Sequence, residues 1–501
     1  VVIRPFDSSG IVRGEDGILR YLNRPTSLVA MLTEVAERDP AAEAIVELGG
    51  RRLSYGELLD EVSRVAGGLR DVGVGRGDRV AINLPNGVDW CLAYFGTIFA
   101  GGIVVPINTR FSPSEVDYVV DDSGARLLVS AGDALPTGEP YVDAGLEPED
   151  VAAIVYTSGT TGFPKGAVTT HANLLSNNES CRRALCLEHG TRVRNLISVP
   201  LFHVTGCNSQ LLLTTELGGA SVIMPAFSVD GFLDAIVDER IDMLTSVPAI
   251  YLLAISSPRF ASTDVSTVRW ISYGGAPIAP DTVRRLREEF PDARLGNGFG
   301  LTECASLATY LPHEYCETRP ETVGFAVPVV ELVIDDPDPR TGAGELLVRG
   351  PNVVKGYWNK PEATAGTFVD GWLRTGDVAV LDDEGFLQIV DRRKDMVNRG
   401  GENVYSIEVE NALISHPSVA EAAVVGVPDD VMGEKVGAVV VPVDGATVDV
   451  DELIAHVAGL IADFKVPQYL IVQPVPLPRN PNGKVLKQMI RDLTQWGTPL
   501  R

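Results

Sequence analysis

The chain has 501 residues, 45% of them apolar and 22% charged, an ordinary globular composition and enough length for two or more cores. A net charge of −25 excludes a sequence-independent grip on nucleic acid, which needs clustered Lys and Arg. An anionic ligand must then be held by local dipoles, a few cations and metal. No apolar run reaches the roughly 18 residues of a spanning helix, and residues 1–16 lack the basic and apolar blocks of a signal peptide. Cys91, Cys181, Cys186, Cys207, Cys304 and Cys316 show neither CxxC spacing nor a His at metal-ligand distance. They read as reduced thiols of a cytoplasmic protein without a metal cage.

In chain order, Ser54 and Glu57 form a capping-box pattern, with Leu53 and Leu58 placed as a hydrophobic staple. Leu58, Leu59, Val62, Val65, Ala66 and Leu69 then repeat at helical spacing until the Gly-rich residues 72–77. A strand at 79–84, a helix at 88–99 and a strand at 103–106 follow, an alternation that predicts a mostly parallel α/β sheet. Residues 131–150 read as a surface connection into a strand at 151–155.

That strand feeds Thr157, Ser158, Gly159, Thr160, Thr161, Gly162, Phe163, Pro164, Lys165 and Gly166. Gly lets backbone N–H groups face an anion, hydroxyls add donors, and the Lys ammonium brings mobile positive charge, so the loop suits phosphate. A flexible linker would not sit between an apolar strand and a second β-like run at 166–170. A Walker A loop needs adjacent Gly and Lys, whereas Phe163 and Pro164 separate Gly162 from Lys165.

A helix is predicted at 173–187 and a strand at 195–200 that ends in His203, which on its own reads as a structural strand-end residue. Apolar elements continue through 220–225, 232–240, 243–247 and 268–273. The last ends in Gly274, Gly275, Ala276 and Pro277, a turn whose backbone a flat ligand can approach. Asn297, Gly298, Phe299, Gly300, Leu301, Thr302 and Glu303 form a second such place. Glycines flanking Phe299 leave its ring open to stacking, and Glu303 suits Mg²⁺ or, alternatively, the first turn of a helix.

From residue 331 the texture changes to short strands at 332–334, 345–348, 378–381 and 386–390, which predicts a small β-barrel or sheet appended to the α/β core. It carries Thr375, Gly376 and Asp377, a common turn tripeptide whose carboxylate could accept hydrogen bonds from a ribose diol. The mixed-charge run 391–395 marks a domain boundary. Beyond it, helices at 407–415 and 451–463 and strands at 422–427, 435–441 and 469–472 predict a small α+β domain. A terminal turn presents Lys484, a residue that alone reads as a solvated surface charge.

The order of these features, from phosphate loop through strand-end His, Gly-Gly-Ala-Pro, aromatic-Gly-x-Thr-Glu, Thr-Gly-Asp and charged hinge to Gly-Lys, resembles the adenylate-forming superfamily of acyl-CoA synthetases, luciferases and peptide-synthetase adenylation domains. It is most like the bacterial fatty-acid and related acyl-CoA ligases, and it covers residues 53–487. The resemblance implies a large N-terminal domain at 1–393, with two α/β subdomains and a β-barrel at about 315–390, and a mobile C-terminal lid at 394–501 hinged at Lys394. It implies activation of a carboxylate by ATP to acyl-AMP and pyrophosphate, followed by transfer to CoA.

By the same resemblance, residues 157–165 hold the β- and γ-phosphates, Thr302 meets the α-phosphate and Glu303 holds Mg²⁺. Gly275, Ala276, Pro277 and Phe299 cradle adenine, with Asn297, Gly298 and Gly300 beside it, and Asp377 and Arg392 bind the ribose hydroxyls. Lys484 bridges the incoming carboxylate and the α-phosphate. Gly400, Gly401 and Glu402 line the pantetheine tunnel.

The acyl pocket is expected from His203, Val204, Cys207, Asn208, Tyr273, Gly274, Gly300, Leu301 and Ala305, mostly small or apolar, which suits a fatty, aryl or alicyclic acid. No acid lies between Leu201 and Gln210 to pair with a substrate amine, so an amino acid is disfavoured. A carrier-protein phosphopantetheine is the alternative acceptor, an enzyme running one half-reaction is a further alternative, and a nucleotide-binding regulator without turnover is opposed by the intact Lys484, Glu303 and Asp377. Oligomeric state is open and includes a dimer. Transient membrane contact would come only through a hydrophobic substrate, since no basic amphipathic helix argues for it.

Overall fold

The computed structural model describes residues 3–157, 164–188, 190–276, 278, 280–400, 402–480 and 483–500. Among these, two mostly parallel sheets build the N-terminal part. One has nine strands in the order Phe325–Ala326, Thr309–Leu311, Arg294–Phe299, Trp270–Gly274, Met243–Ser246, Arg194–Ile197, Ala220–Ile223, Glu43–Glu47 and Arg52–Ser54. The other has five, Leu127–Ser130, Arg79–Asn83, Ile103–Pro106, Val151–Thr157 and Lys165–Thr170. Central strands such as Ile103–Pro106 and Ala220–Ile223 are buried throughout, as continuous apolar runs must be when helices cover both faces.

The helix Tyr55–Asp71 starts at the expected capping box: the Ser54 N–H donates to Glu57 Oε2 at 2.8 Å and the Glu57 N–H to Ser54 Oγ at 3.3 Å. It packs on the helix Val88–Phe99, where a side chain at Gly96 would collide with Val65. The helix expected at 173–187 runs His171–Ala184, its start fixed by a Thr170–Asn173 capping box. Several elements lie outside the sequence reading, among them the helices Leu28–Arg38 and Pro280–Glu289 and the strand Glu43–Glu47. The helix Pro113–Ser123 has its own capping box, Ser112 with Glu115. The strand Arg294–Phe299 carries the glycines that locally read as a turn, and Gly296 sits in it because any Cβ there would occupy the space of the Tyr310 phenol.

The expected barrel region is a five-stranded sheet in which Glu331–Asp335, Gly344–Arg349 and the long strand Trp372–Leu381 pair in order. Phe368–Val369 and Leu387–Arg392 pair with that same long strand, and no pairing among the described residues closes the sheet into a ring. Leu346, Val348, Leu373 and Phe386 share a core with the nine-stranded sheet, and Phe386 meets Phe325 at 4.2 Å between ring centroids. The C-terminal sheet, Glu402–Val404, Val397–Arg399, Gly433–Pro442, Val419–Asp429 and Tyr469–Val472, has a separate core of Val409, Leu413, Val436 and Leu453 beneath the helices Ser406–Ile414 and Val450–Ala458. The second helix stops before Gly459, short of the expected 463. No helix among the described residues is long and apolar enough to cross a membrane.

Candidate active site

Several strand ends and one turn of the C-terminal part converge. Thr157, the last residue of one strand, pairs in register with Lys165, the first of the antiparallel next, and the two fix the base of the expected phosphate loop. Ser158, Gly159, Thr160, Thr161 and Gly162, like Pro277 and Gly401, lie outside the described residues. The Lys165 ammonium stands 5.1 Å from the centroid of the Tyr357 ring, and the Tyr357 hydroxyl donates to Glu303 Oε1 at 2.7 Å. Tyr357 was not signalled by any motif. It arrives because its segment forms a β-bridge with Ala167, next to Lys165.

Glu303 projects from the short turn Thr302–Cys304 that follows the strand Arg294–Phe299, and its backbone carbonyl accepts from the Val354 N–H at 3.0 Å. The turn folds back so tightly that Ala305 and Ser306 take positive φ of 54° and 126° and that Gly300 leaves no space for a Cβ beside the Ser306 carbonyl. Among the described residues no group of three or more His, Cys, Asp or Glu side chains could hold a metal. One carboxylate nevertheless fits Mg²⁺, which keeps waters and substrate phosphates as its other ligands.

Asp377 is the sharpest electrostatic feature. Only 3% exposed, it offers Oδ1 to Arg392 Nε at 2.6 Å across paired strands, while Oδ2 has no partner among the described residues. Burial pushes its carboxyl up to about 6, opposed by Arg392 and Lys484. A buried carboxylate oxygen without a donor fits a ligand hydroxyl.

Lys484 comes from the opposite end of the chain. Its turn is locked by the Lys484 N–H donating to Asn480 Oδ1 at 2.9 Å, the Asn480 N–H donating to the Lys484 carbonyl at 2.9 Å, and Gly483 at φ 81°. The residue is exposed, yet partial desolvation of its side chain, then Arg392 and Lys394, pushes its ammonium down to about 8; Asp395 and Asp377 oppose the shift. Below Lys484, Lys487 Nζ reaches Glu410 Oε1 at 2.7 Å and Ser406 Oγ at 2.6 Å. Ser406 in turn donates its Oγ to Asp391 Oδ1 at 2.9 Å and its N–H to Asp391 Oδ2. Asp391 closes one sheet and Ser406 opens the first helix of the next unit, so this buried cluster straddles Lys394.

Gly275 and Ala276 are exposed at the rim and Phe299 is half-buried beside them, whereas Asn297 is buried and donates to the Thr322 carbonyl at 3.2 Å. His203 packs on Phe202 with ring centroids 4.9 Å apart and planes tilted by 43°; burial, then Arg110, lowers its imidazole to about 4, so it is neutral at pH 7. The π-helix Thr205–Leu212 that follows opens a wide turn, as such bulges do at sites. Beside it lies a cavity of about 100 Å³ lined by the expected Val204, Tyr273, Gly274 and Gly300 together with Thr205 and Thr245. His203, Cys207, Asn208, Leu301 and Ala305 do not line it; Asn208 instead donates to the Ala305 carbonyl at 2.8 Å, and Cys207 is core. Gly400, at φ 61°, donates its N–H to the Met432 carbonyl, and Glu402 pairs with Arg340 at 3.4 Å.

The family profile described as AMP-binding enzyme matches residues 32–144 and 130–358, and the AMP-binding enzyme C-terminal domain matches 408–484. The chain is 38% identical to a feruloyl-CoA synthase of Amycolatopsis sp., covering 91% of this chain and 96% of that protein. It is 32% identical to a long-chain-fatty-acid–CoA ligase of Mycobacterium tuberculosis, covering 92% and 97%. The structure of o-succinylbenzoate CoA synthetase from Bacillus subtilis with its acyl-adenylate intermediate superposes with a TM-score of 0.85 at 29% identity, covering 94% of this chain and 99% of that one.

Proposed function

The chain belongs to the AMP-binding enzyme family, and from that premise we propose that this site joins a carboxylic acid to CoA through an acyl-adenylate. A carboxylate oxygen attacks the α-phosphorus of ATP, the bond to the β-phosphate oxygen breaks, and pyrophosphate leaves. The sulfur of CoA then attacks the acyl carbon, the bond to AMP breaks, and the thiol proton passes to solvent.

The observation that carries the reading is the meeting of Lys484 with Asp377 and Arg392 from units separated by the segment around Lys394. Charge gathers between carboxylate and α-phosphate in the first step, where an oriented ammonium lowers the barrier more than any nucleophilic side chain would. Lys484 holds both groups, and Thr302 donates to the α-phosphate. Asp377 Oδ2 accepts a ribose hydroxyl, with Arg392 fixing the carboxylate and meeting the other. Gly275, Ala276 and Phe299 bracket adenine, and Lys165, with Thr157 and the loop it closes, holds the outer phosphates. Glu303, oriented by Tyr357, would hold Mg²⁺, which supplies charge neutralisation at the phosphates when bound. His203, neutral, stands between carboxylate and acyl pocket. The boundary at Lys394 lets the C-terminal unit turn away after adenylation, so that Lys484 leaves and residues 400–402 approach CoA.

The test measures acid-dependent ATP–pyrophosphate exchange and CoA-dependent AMP release over a panel of acids. Exchange lost in Lys484→Ala, with folding intact, supports the assignment. Exchange at the wild-type rate in that variant would refute it.

A further inference from the structure

We propose that three buried asparagines, Asn177, Asn208 and Asn352, are positioning residues: together they fix the turn that presents Thr302 and Glu303 to ATP and Mg²⁺. None of them contacts a ligand, and the inference rests on the ligase reading above for the roles of Thr302 and Glu303.

The turn needs outside support. Ala305 and Ser306 take positive φ of 54° and 126°, conformations that persist in residues with side chains only where the surroundings over-determine them. Three separate elements supply that support. From the π-helix, Asn208 donates to the Ala305 carbonyl at 2.8 Å, and Ser209 Oγ meets Ser306 Oγ at 2.8 Å. From the segment after the strand Gly344–Arg349, Asn352 Nδ2 donates to the Cys304 carbonyl at 3.1 Å and to the Leu307 carbonyl at 2.8 Å, while the Val354 N–H holds the Glu303 carbonyl. From the helix His171–Ala184, Asn177 Oδ1 accepts from the Leu307 N–H at 2.9 Å. Asn173, four residues earlier on the same helix face, donates to the Pro351 and Val353 carbonyls at 2.8 and 3.0 Å and ties the second support to the third. Every residue from Glu303 to Leu307 is thereby held from outside the turn.

The energetics favour placement over plain stability. Asn177 and Asn352 are fully buried, and Asn177 Nδ2 and Asn352 Oδ1 have no partner among the described residues. Burying an amide with one arm idle costs desolvation that an apolar side chain of the same size avoids. What the amide adds is direction, because a hydrogen bond fixes distance and angle where an apolar contact fixes neither. Thr302 and Glu303 begin this turn, and a misplacement of about 1 Å at a reacting centre costs about a hundredfold in rate.

The experiment compares Asn352→Leu and Asn208→Leu, close in volume and without a donor, with the milder Ser209→Ala, all in the full chain and checked by urea unfolding. The first readout is calorimetric binding of ATP with and without Mg²⁺, which needs no turnover. The wild-type protein is expected to bind ATP at least about tenfold tighter with Mg²⁺, and the Leu variants are expected to lose most of that gain while binding ATP alone within about threefold of wild type. The second readout sets acid-dependent pyrophosphate exchange against thioester formation from the supplied acyl-adenylate, with cinnamic and decanoic acids as probes. Exchange is expected to fall about a hundredfold, and thioester formation, in which Mg²⁺ and the outer phosphates take no part, to stay within about threefold. Ser209→Ala should show the same split at about threefold, and it decides the matter if the Leu variants fail to fold.

A Mg²⁺ gain absent from wild type or unchanged in the variants would overturn the proposal. So would an equal loss of both half-reactions in step with a lowered unfolding midpoint, the mark of a merely structural role. A Mg²⁺ gain lost in the variants, in a protein whose wild type turns over neither acid in either half-reaction, would keep the positioning role and count against the ligase reading.

Discussion

The lowered acidity of Lys484 makes the alkaline pH profile diagnostic. The bridging role needs the ammonium, and desolvation with the nearby Arg392 and Lys394 brings its pKa to about 8. About nine-tenths of the free enzyme is then competent at pH 7 and about one-tenth at pH 9, so kcat/KM for pyrophosphate exchange should fall about tenfold over that interval. An unperturbed lysine near 10.4 would lose only a few per cent over the same range. Bound ATP adds negative charge beside the ammonium and raises its pKa, so the limb in kcat should lie at higher pH than the limb in kcat/KM. Lys484→Arg keeps the charge but cannot deprotonate in this range. It should run slower, because the geometry differs, yet with a flat profile from pH 7 to 9. A limb near pH 8 that survives in Lys484→Arg, or a wild-type profile flat to pH 9, would refute the reasoning.

Asp377→Asn should stabilise the ligand-free protein while weakening nucleotide binding. The folded carboxyl is raised to about 6 from an ordinary 3.8, so the folded state binds more protons between those values and stability falls as pH rises through that window. The variant's gain, about 2–3 kcal/mol, should be full above pH 6 and gone below about 4 in urea unfolding; no gain at pH 7.5 counts against the burial argument. Lys487→Met strips the cation from the buried Asp391 and Glu410 and should cost the C-terminal unit about 3–5 kcal/mol, followed by Trp496 fluorescence, with a loss under about 1 kcal/mol contradicting it. Tyr357→Phe removes the donor to Glu303 and should raise the Mg²⁺ concentration for half-maximal exchange about tenfold, a shift that an unconnected tyrosine would not produce.

Much of this was legible locally. Ser54 with Glu57 gave a capping box because the pattern closes within one turn, and the apolar strands at 103–106 and 220–223 declare burial on both faces. Where neighbours intervene, local reading fails. The run 297–303 looks like a Gly-rich turn, but its first three residues end the strand Arg294–Phe299, where Gly296 admits Tyr310, a fact written on another strand. Tyr357 carried no motif at all.

The sequence by itself determined part of the elements, the order of the phosphate-binding, carboxylate and lysine motifs, and the family they resemble, because each is encoded in a contiguous stretch. Only the tertiary structure decided that Asp377 keeps one buried oxygen open among the described residues, that Lys484 stands near it with a lowered pKa, and that a cavity lined by Val204, Tyr273, Gly274 and Gly300 lies beside the π-helix. These properties are sums over groups distant in sequence. Desolvation, charge pairing and cavity volume exist only once the sheets and the C-terminal unit have packed against one another.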